Sequence, residues 1–304
     1  MSVPQFDQAR AMSLINKKDL TNLIWTDKST KEKVFNYWET LQKNDLFMSN
    51  KTEELSTWEM ADHNIRYTQK WRKHIPRPDF ANNEIIHEHG HLIGYVGLLM
   101  GLPCIELMSS EEQFSKWHEP TLKGDYILCY AQTELAHGSD IQSIKTTATY
   151  DPNTEKFVIN TPSLEAYKYW PGDLGYAANF AIVYAQLFTN GKNYGVFPLM
   201  VQIRDLKTHK PLPGISIGDM GPKLGHTWKD NGWLAFDNIS VDRNALFGRY
   251  VSVEPNGKFK TKGNMKIMYA SMMYVRESIL AGSAKGLACG TLVALRYSHI
   301  RTQF

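Results

Sequence analysis

The chain has 304 residues, with 34 Lys and Arg set against 31 Asp and Glu for a net charge of +3. That near balance, with no basic stripe interleaved with aromatics, excludes the electrostatic footprint of nucleic-acid binding. At 42% hydrophobic and 21% charged residues it is no disordered tail and has the length of about two domains, while three scattered cysteines (Cys104, Cys129, Cys289) argue against a disulfide framework or structural zinc.

The N-terminus, "MSVPQFDQARAMSLINKKDL", lacks an apolar stretch of signal-peptide length, and its Asp7 is unusual for a transit peptide. No apolar run is expected to reach a membrane span; the best candidate, "HLIGYVGLLMGLPCIEL", is interrupted by glycines and a proline. A soluble intracellular protein with no transmembrane segment is the expectation. Residues 1–125 read as helical. "STKEKVFNYWETLQKN" offers Ser29 as N-cap and sets Val34, Tyr37, Trp38 and Leu41 on one face. "STWEMADHNIRYTQKW" places Glu59 three residues after Ser56, and "SSEEQFSKW" repeats the start signal at Ser110.

Within "IIHEHGHLIGYV", residues 85–96, H-E-H-G-H matches the zinc-protease pattern H-E-x-x-H. That chemistry needs an uninterrupted helix and a third ligand. Gly90 between the histidines costs about 1 kcal/mol of helix stability against alanine. Glu106, Glu111 and Glu112 stand in no zinc-protease context. The segment reads as a helix end carrying histidines, and no metal is expected.

Residues 126–255 read as β-rich. "DYILCYAQTE" is aromatic and β-branched, and "KTTATYDPNTEKFVINTP" alternates around a Pro-Asn turn. "FAIVYAQLFTNGKNYGVFPLMVQIRD" reads as two strands around Asn-Gly, and "GWLAFDNISV" as one more. Beyond residue 255, "NMKIMYASMMYVRESILAGSAKGLACGTLVALRYSHIRTQF" is either one long helix or two joined near Gly282–Gly290. Its small residues suit close helix approach. It reaches Phe304 with no C-cap, so the chain is expected to continue in nature.

Three glycine-rich, polar and aromatic stretches, at 129–140, 168–179 and 203–239, suit loops that approach a planar ligand. No G-x-G-x-x-G opens a helix after a strand, so a Rossmann site is unsupported. These features favour an enzyme over a binding module without naming its reaction.

"YAQTELAHGSD", "TATYD", "YWPGDLG", "VQIRD", "THKPLPGI", "IGDMGPK" and "DNG" stand in the order and spacing of the peroxisomal acyl-CoA oxidases, of the acyl-CoA dehydrogenase superfamily. The resemblance runs from about residue 85 to Phe304 and is strongest over 126–250. It implies an α+β multidomain fold: an N-terminal α-helical domain (1–125), a middle β-barrel domain (126–255) and the start of a C-terminal α-helical bundle (256–304). It further implies FAD between barrel and bundle, a fatty acyl-CoA substrate, molecular oxygen as acceptor, peroxisomal residence, and a homodimer or a partner that completes the bundle.

By the same resemblance Gln132, Thr133, Trp170 and Gly172 contact FAD, Arg301 reaches the FAD of the neighbouring subunit in a dimer, and Ser139 and Arg276 approach the acyl-CoA. Each has a plain reading beside it: strand threonine for Thr133, core tryptophan for Trp170, turn serine for Ser139, a partner of Glu277 for Arg276, a surface arginine for Arg301. The family's catalytic carboxylate is expected beyond Phe304, so no catalytic residue is assigned here. Asp173 replaces a family glycine, and its carboxylate, if aimed at the flavin, would disfavour the anionic reduced form. Tyr169, Ala136 and Thr302 depart from the pattern as well. The implied reaction is α,β-dehydrogenation of fatty acyl-CoA to the trans-2-enoyl-CoA with O2 reduced to H2O2, a step of fatty acid β-oxidation. An acyl-CoA dehydrogenase and a noncatalytic, oxidase-like structural subunit stay open beside it.

Overall fold

The computed structural model describes residues 4–24, 28–44, 55–74, 93–225, 229–263 and 270–303. The histidine run 87–91 lies outside the described residues. The chain divides into two compact units, one of residues 1–47, 79–88 and 273–304, the other of residues 48–78 and 89–272.

The first unit holds helices α1 (Pro4–Ala11), α2 (Lys17–Ile24) and α3 (Lys28–Lys43). In α3 Val34 and Leu41 are buried as their spacing predicts, whereas Trp38 of the same stripe is 40% exposed. Ser29 lies inside the first turn and is not the N-cap, because the helix already includes Lys28. The long C-terminal segment is one unbroken helix, here called α7 (Ala270–Ile300), and not a pair. Its portion Val275–Ile300 has the length and the mean hydropathy, 1.5, of a membrane span. The expectation that no segment reaches those values is therefore corrected. Its glycines, alanines and serines break up the visible apolar run but barely lower its mean. Length and composition are all that this comparison uses, and the core helices of soluble bundles meet them equally.

The second unit opens with α4 (Thr57–His74). Glu59 reaches back to the Ser56 N–H at 2.9 Å while Ser56 Oγ accepts from Glu59 N at 3.4 Å, the reciprocal cap that the sequence predicts. A helix begins at Tyr95, passes through a π-turn at Gly97–Gly101, and continues as α5 (Leu102–Met108). Gly97 and Gly101 bring it onto Leu128: a Cβ on Gly97 would stand 2.8 Å from Leu128 O. Helix α6 (Glu111–Lys123) is capped by Ser110 and Gln113 and ends at Gly124 with φ +86°. There Arg72 fills the side of the glycine, so any Cβ would collide with its guanidinium.

The β-structure forms a curled main sheet and two smaller ones. The main sheet has β1 (Leu128–Ala131), β5 (Phe180–Thr189), β2 (Thr147–Asp151), β3 (Lys156–Asn160) and β9 (Ile239–Asp242) in that order, with β6 (Lys192–Gln202) also on β5. The ten-residue β5 is shared: its first half pairs in parallel with β1, its second with β2, and β6 runs antiparallel to it. Both predicted hairpins form, β2–β3 and β5–β6, the latter turning at Asn190 (φ +50°) and Gly191 (φ +74°).

A second sheet orders β4 (Lys168–Gly172), β8 (Asn231–Phe236) and β7 (Ile215–Asp219), and a third pairs β10 (Val251–Val253) with β11 (Phe259–Thr261). "GWLAFDNISV" is therefore two strands and not one. Asn238, at φ +47°, breaks it, sending β8 and β9 into different sheets. Between the sheets lies a core of Phe157, Phe197, Phe236, Leu187, Leu199 and neighbours, all nearly inaccessible.

Candidate functional site

The chain after β1 runs alongside β4. Tyr169 N donates to Thr133 O at 3.0 Å, Leu135 N donates to Tyr167 O at 2.9 Å, and Glu134 bridges Lys168. This pairing places Gln132 and Thr133 beside the Tyr169–Trp170 segment. Gln132 is 6% exposed, and its Nε2 donates to Met272 Sδ at 3.7 Å. Thr133 is half-buried, and Ser139 is exposed.

Strand β4 bulges between Tyr169 and Gly172 against β8. Pro171, which has no N–H to leave unpaired, sits in the bulge. Trp170 takes φ +76°, a left-handed conformation that strains a bulky residue by about 1–3 kcal/mol. Its carbonyl is held by Asn231 Nδ2 at 2.9 Å. The indole is 53% exposed, which overturns the plain reading of Trp170 as core. A strained backbone that presents a large ring outward is the mark of a contact surface, because packing does not reward it. Gly172 is buried, and the place of its missing Cβ is taken by Val96 Cγ2 and Lys229 Cε.

Four buried charged groups, Lys168, Glu134, Arg204 and Asp230, brace this surface, and the sequence reading assigned a role to none of them. Lys168 has no exposed side-chain area and spends all three ammonium hydrogens, on Gln132 O (3.2 Å), Glu134 Oε1 (2.9 Å) and Tyr184 O (2.7 Å). Glu134 also accepts from Lys145 N, Thr146 N and Thr146 Oγ1. Burial pulls the ammonium down to about 8, with Glu134 opposing. For Glu134 burial pushes the other way, but Lys168 and the hydrogen bonds hold the carboxylate below its ordinary value. Three donor contacts from Lys168 Nζ and four acceptor contacts on Glu134 match the ionised forms of the pair.

Arg204, in "VQIRD", reaches the carbonyls of Leu174, Gly175 and Ala178 and so fastens the loop after Trp170. Asp230, in "DNG", accepts from Tyr176 N (3.2 Å) and Ala177 N (3.1 Å) with Oδ2, while its buried Oδ1 has no hydrogen-bond partner. Burial first, and the Asp173 charge second, raise this carboxyl to about 6.

Asp173 does not face outward. It is 1% exposed at φ +65°; Oδ1 pairs with Lys229 Nζ at 3.1 Å and Oδ2 accepts from Val96 N at 3.3 Å. The condition under which this carboxylate would act on a ligand, facing it, is not met: it forms an internal ion pair. None of Glu134, Asp173 and Asp230 is placed as a base, since each is enclosed and engaged. The surface offers an aromatic ring, a threonine hydroxyl and backbone groups, which suit a planar polar ligand.

Arg276 and Arg301 belong to the other unit, with Ser139 in the unit of Trp170. Arg276 is exposed on α7, and Arg301, also exposed, donates to Tyr297 OH at 3.3 Å. Of the glutamates weighed as zinc ligands, Glu106 stands 3.2 Å from His118 Nε2. No group of three or more His, Cys, Asp or Glu that could hold a metal occurs among the described residues.

The family model described as "Acyl-CoA dehydrogenase, middle domain" matches residues 129–239. The chain is 42% identical over 222 residues to acyl-coenzyme A oxidase acox-1.1 of Caenorhabditis elegans, covering 73% of this chain and 33% of that one. It is 44% identical over 216 residues to peroxisomal acyl-coenzyme A oxidase 1 of Arabidopsis thaliana, covering 69% and 32%. The solved Arabidopsis thaliana acyl-CoA oxidase 1 superposes with a TM-score of 0.92 at 32% identity, covering all of this chain and 47% of that one. Acyl-CoA oxidase-2 of C. elegans, solved with FAD, ascaroside-CoA and ATP, superposes at 0.91 and 30% identity, covering 99% and 47%. The chain thus spans about a third of the length of the curated relatives it matches.

Proposed function

We propose, for a chain that belongs to the acyl-CoA oxidase family and corresponds to its N-terminal portion, that it forms the flavin-holding part of an FAD-dependent acyl-CoA oxidase. The reaction is α,β-dehydrogenation of a fatty acyl-CoA with oxygen as acceptor. The observation that carries this reading is Trp170: an indole 53% exposed on a left-handed turn, beside Thr133 and braced from within. These residues fit a planar ligand with hydrogen-bonding edges.

Gln132, Thr133, Trp170 and Gly172 would hold FAD, Arg301 would reach the FAD of a neighbouring subunit, and Ser139 and Arg276 would approach the acyl-CoA. When bound, FAD supplies the capacity to accept a hydride and to pass its electrons to oxygen. This chain's contribution is to bind and orient: Trp170 gives a face, Thr133 a hydroxyl and backbone edge, and the Lys168–Glu134 pair keeps that edge in register. Removal of the substrate α-proton needs a positioned carboxylate. Glu134 and Asp173 are committed elsewhere, and the family resemblance implies a glutamate beyond residue 304 for that step. The middle β-barrel, the C-terminal bundle and the dimer belong to this proposal as the family resemblance implies them, and peroxisomal residence is supported by a relative named peroxisomal.

The test is titration of the purified protein with FAD, followed by flavin absorbance, with Trp170→Ala beside it. Saturable binding that the variant weakens at least tenfold supports the reading; no binding by the wild type refutes it. Peroxide formed from a saturated acyl-CoA in the holoenzyme separates an oxidase from a dehydrogenase or a noncatalytic subunit.

A further inference from the structure

The turn that displays Trp170 is tied down by two side chains in an arrangement that the resemblance does not predict, since the family has glycine at 173. Asp173 N donates to Asp230 O at 2.7 Å and Ala178 N to Asp173 O at 2.6 Å, so the backbone of 173 is fixed on both sides. Its carboxylate reaches two further elements. One oxygen takes Val96 N–H, one of the donors that a helix start leaves without an intrahelical partner. The other takes the Lys229 ammonium, and the Lys229 stem fills the space over Gly172. Lys229 is followed directly by Asp230 and Asn231, which hold the loop at Tyr176–Ala177 and the Trp170 carbonyl. Helix start, turn and the 229–231 segment are therefore joined at one buried ion pair. Arg72, partly buried, is a further cation whose charge acts on Asp173.

We propose that Asp173 and Lys229 are positioning residues: their ion pair latches the turn in the left-handed form that presents the Trp170 indole to the ligand, and couples that turn to the helix beginning at Tyr95. This deepens, and rests on, the reading of Trp170 as an FAD contact. A glycine at 173 adopts φ +65° freely but anchors nothing. Aspartate accepts some backbone strain there and in exchange restricts the turn. The two residues depend on each other. Removing the ammonium strands a carboxylate behind the turn, and removing the carboxylate strands the ammonium and the Val96 N–H.

The experiment uses FAD as the probe, with Lys229→Met, Lys229→Arg, Asp173→Gly and the double variant Asp173→Gly/Lys229→Met. Lys229→Met is expected to weaken FAD binding about tenfold, about 1.4 kcal/mol. It should also raise the emission of the bound flavin, because a mobile indole quenches it less. Lys229→Arg should restore both. The double variant should bind within about threefold of wild type, because no charge is left stranded. In the ligand-free protein, Asp173→Gly should speed hydrogen exchange at the Val96 amide at least tenfold. Folded Lys229→Met and Asp173→Gly variants that bind FAD within twofold of wild type would overturn the latch, as would additive losses in the double variant. If the wild type binds no FAD, the functional reading fails by itself. The latch is then decided by the Val96 amide, where unchanged protection in Asp173→Gly overturns it.

Discussion

Replacing Lys168 by Met tests how the strand end at Gln132–Glu134 is held. Methionine matches the length of the lysine stem but removes the ammonium, leaving three acceptors: Gln132 O, Glu134 Oε1 and Tyr184 O. Breaking one side of a buried pair costs about 3–5 kcal/mol, chiefly because the surviving charge is left in a low-dielectric site. Glu134 keeps its bonds from Lys145 N, Thr146 N and Thr146 Oγ1, which places this case at the lower end, about 3 kcal/mol. At about 2–4 °C per kcal/mol for a domain of this size, the melting temperature should fall by about 6–12 °C. Glu134→Leu/Lys168→Met should lose less than the sum of its single variants, since two stranded charges become none. Urea unfolding of the four proteins, followed by circular dichroism, measures the cycle. A loss below about 1 kcal/mol for Lys168→Met, or strict additivity, would refute the claim that the pair braces this strand end.

Asp230 sets a pH dependence whose sign is definite. Its folded value is about 6 against an ordinary 3.8, so between these the native state binds more protons than the unfolded chain. The stability it contributes is complete below 3.8 and is lost as pH rises through 6. The loss is about 3 kcal/mol at 1.36 kcal/mol per unit, and Asp230→Asn should flatten that slope in denaturation profiles from pH 4 to 7. Trp170→Gly relieves the positive φ and should leave stability within about 1 kcal/mol of wild type while lowering FAD affinity at least tenfold. Gly191→Ala should cost about 1–2 kcal/mol from backbone strain alone, since its Cβ would meet nothing within 4 Å. Gly124→Ala should cost more, as its Cβ would strike Arg72.

What the sequence made legible follows the reach of each interaction. The β2–β3 and β5–β6 hairpins depend on alternation and turn chemistry within a dozen residues, and both are readable in place. The caps at Ser56 and Ser110 are equally local. "GWLAFDNISV" misleads because its hydrophobic run is continuous while its break is a backbone conformation at Asn238, a residue that tolerates φ > 0 without announcing it. The apolar length of α7 hides for a similar reason: small residues interrupt the eye but not the mean hydropathy.

The candidate site divides in the same way. Trp170 and Thr133 stand out only because their motifs resemble a family; composition and period alone read them as core and strand. The residues that hold them were not legible, because their partners are far along the chain: Asp230 grips residues 53 and 54 positions away, Arg204 residues 26 to 30 away, Lys168 residues 16 to 36 away. Asp173 makes the point most sharply. Its replacement of a glycine is visible in the sequence, and a carboxylate beside a ligand would act on the ligand's charge. In the fold the same carboxylate turns inward, finds Lys229 56 residues on and Val96 77 residues back, and becomes neutral as a pair. A departure from a family pattern thus signals that a position has changed its task; only the placement of its partners says whether the new task is chemical or mechanical.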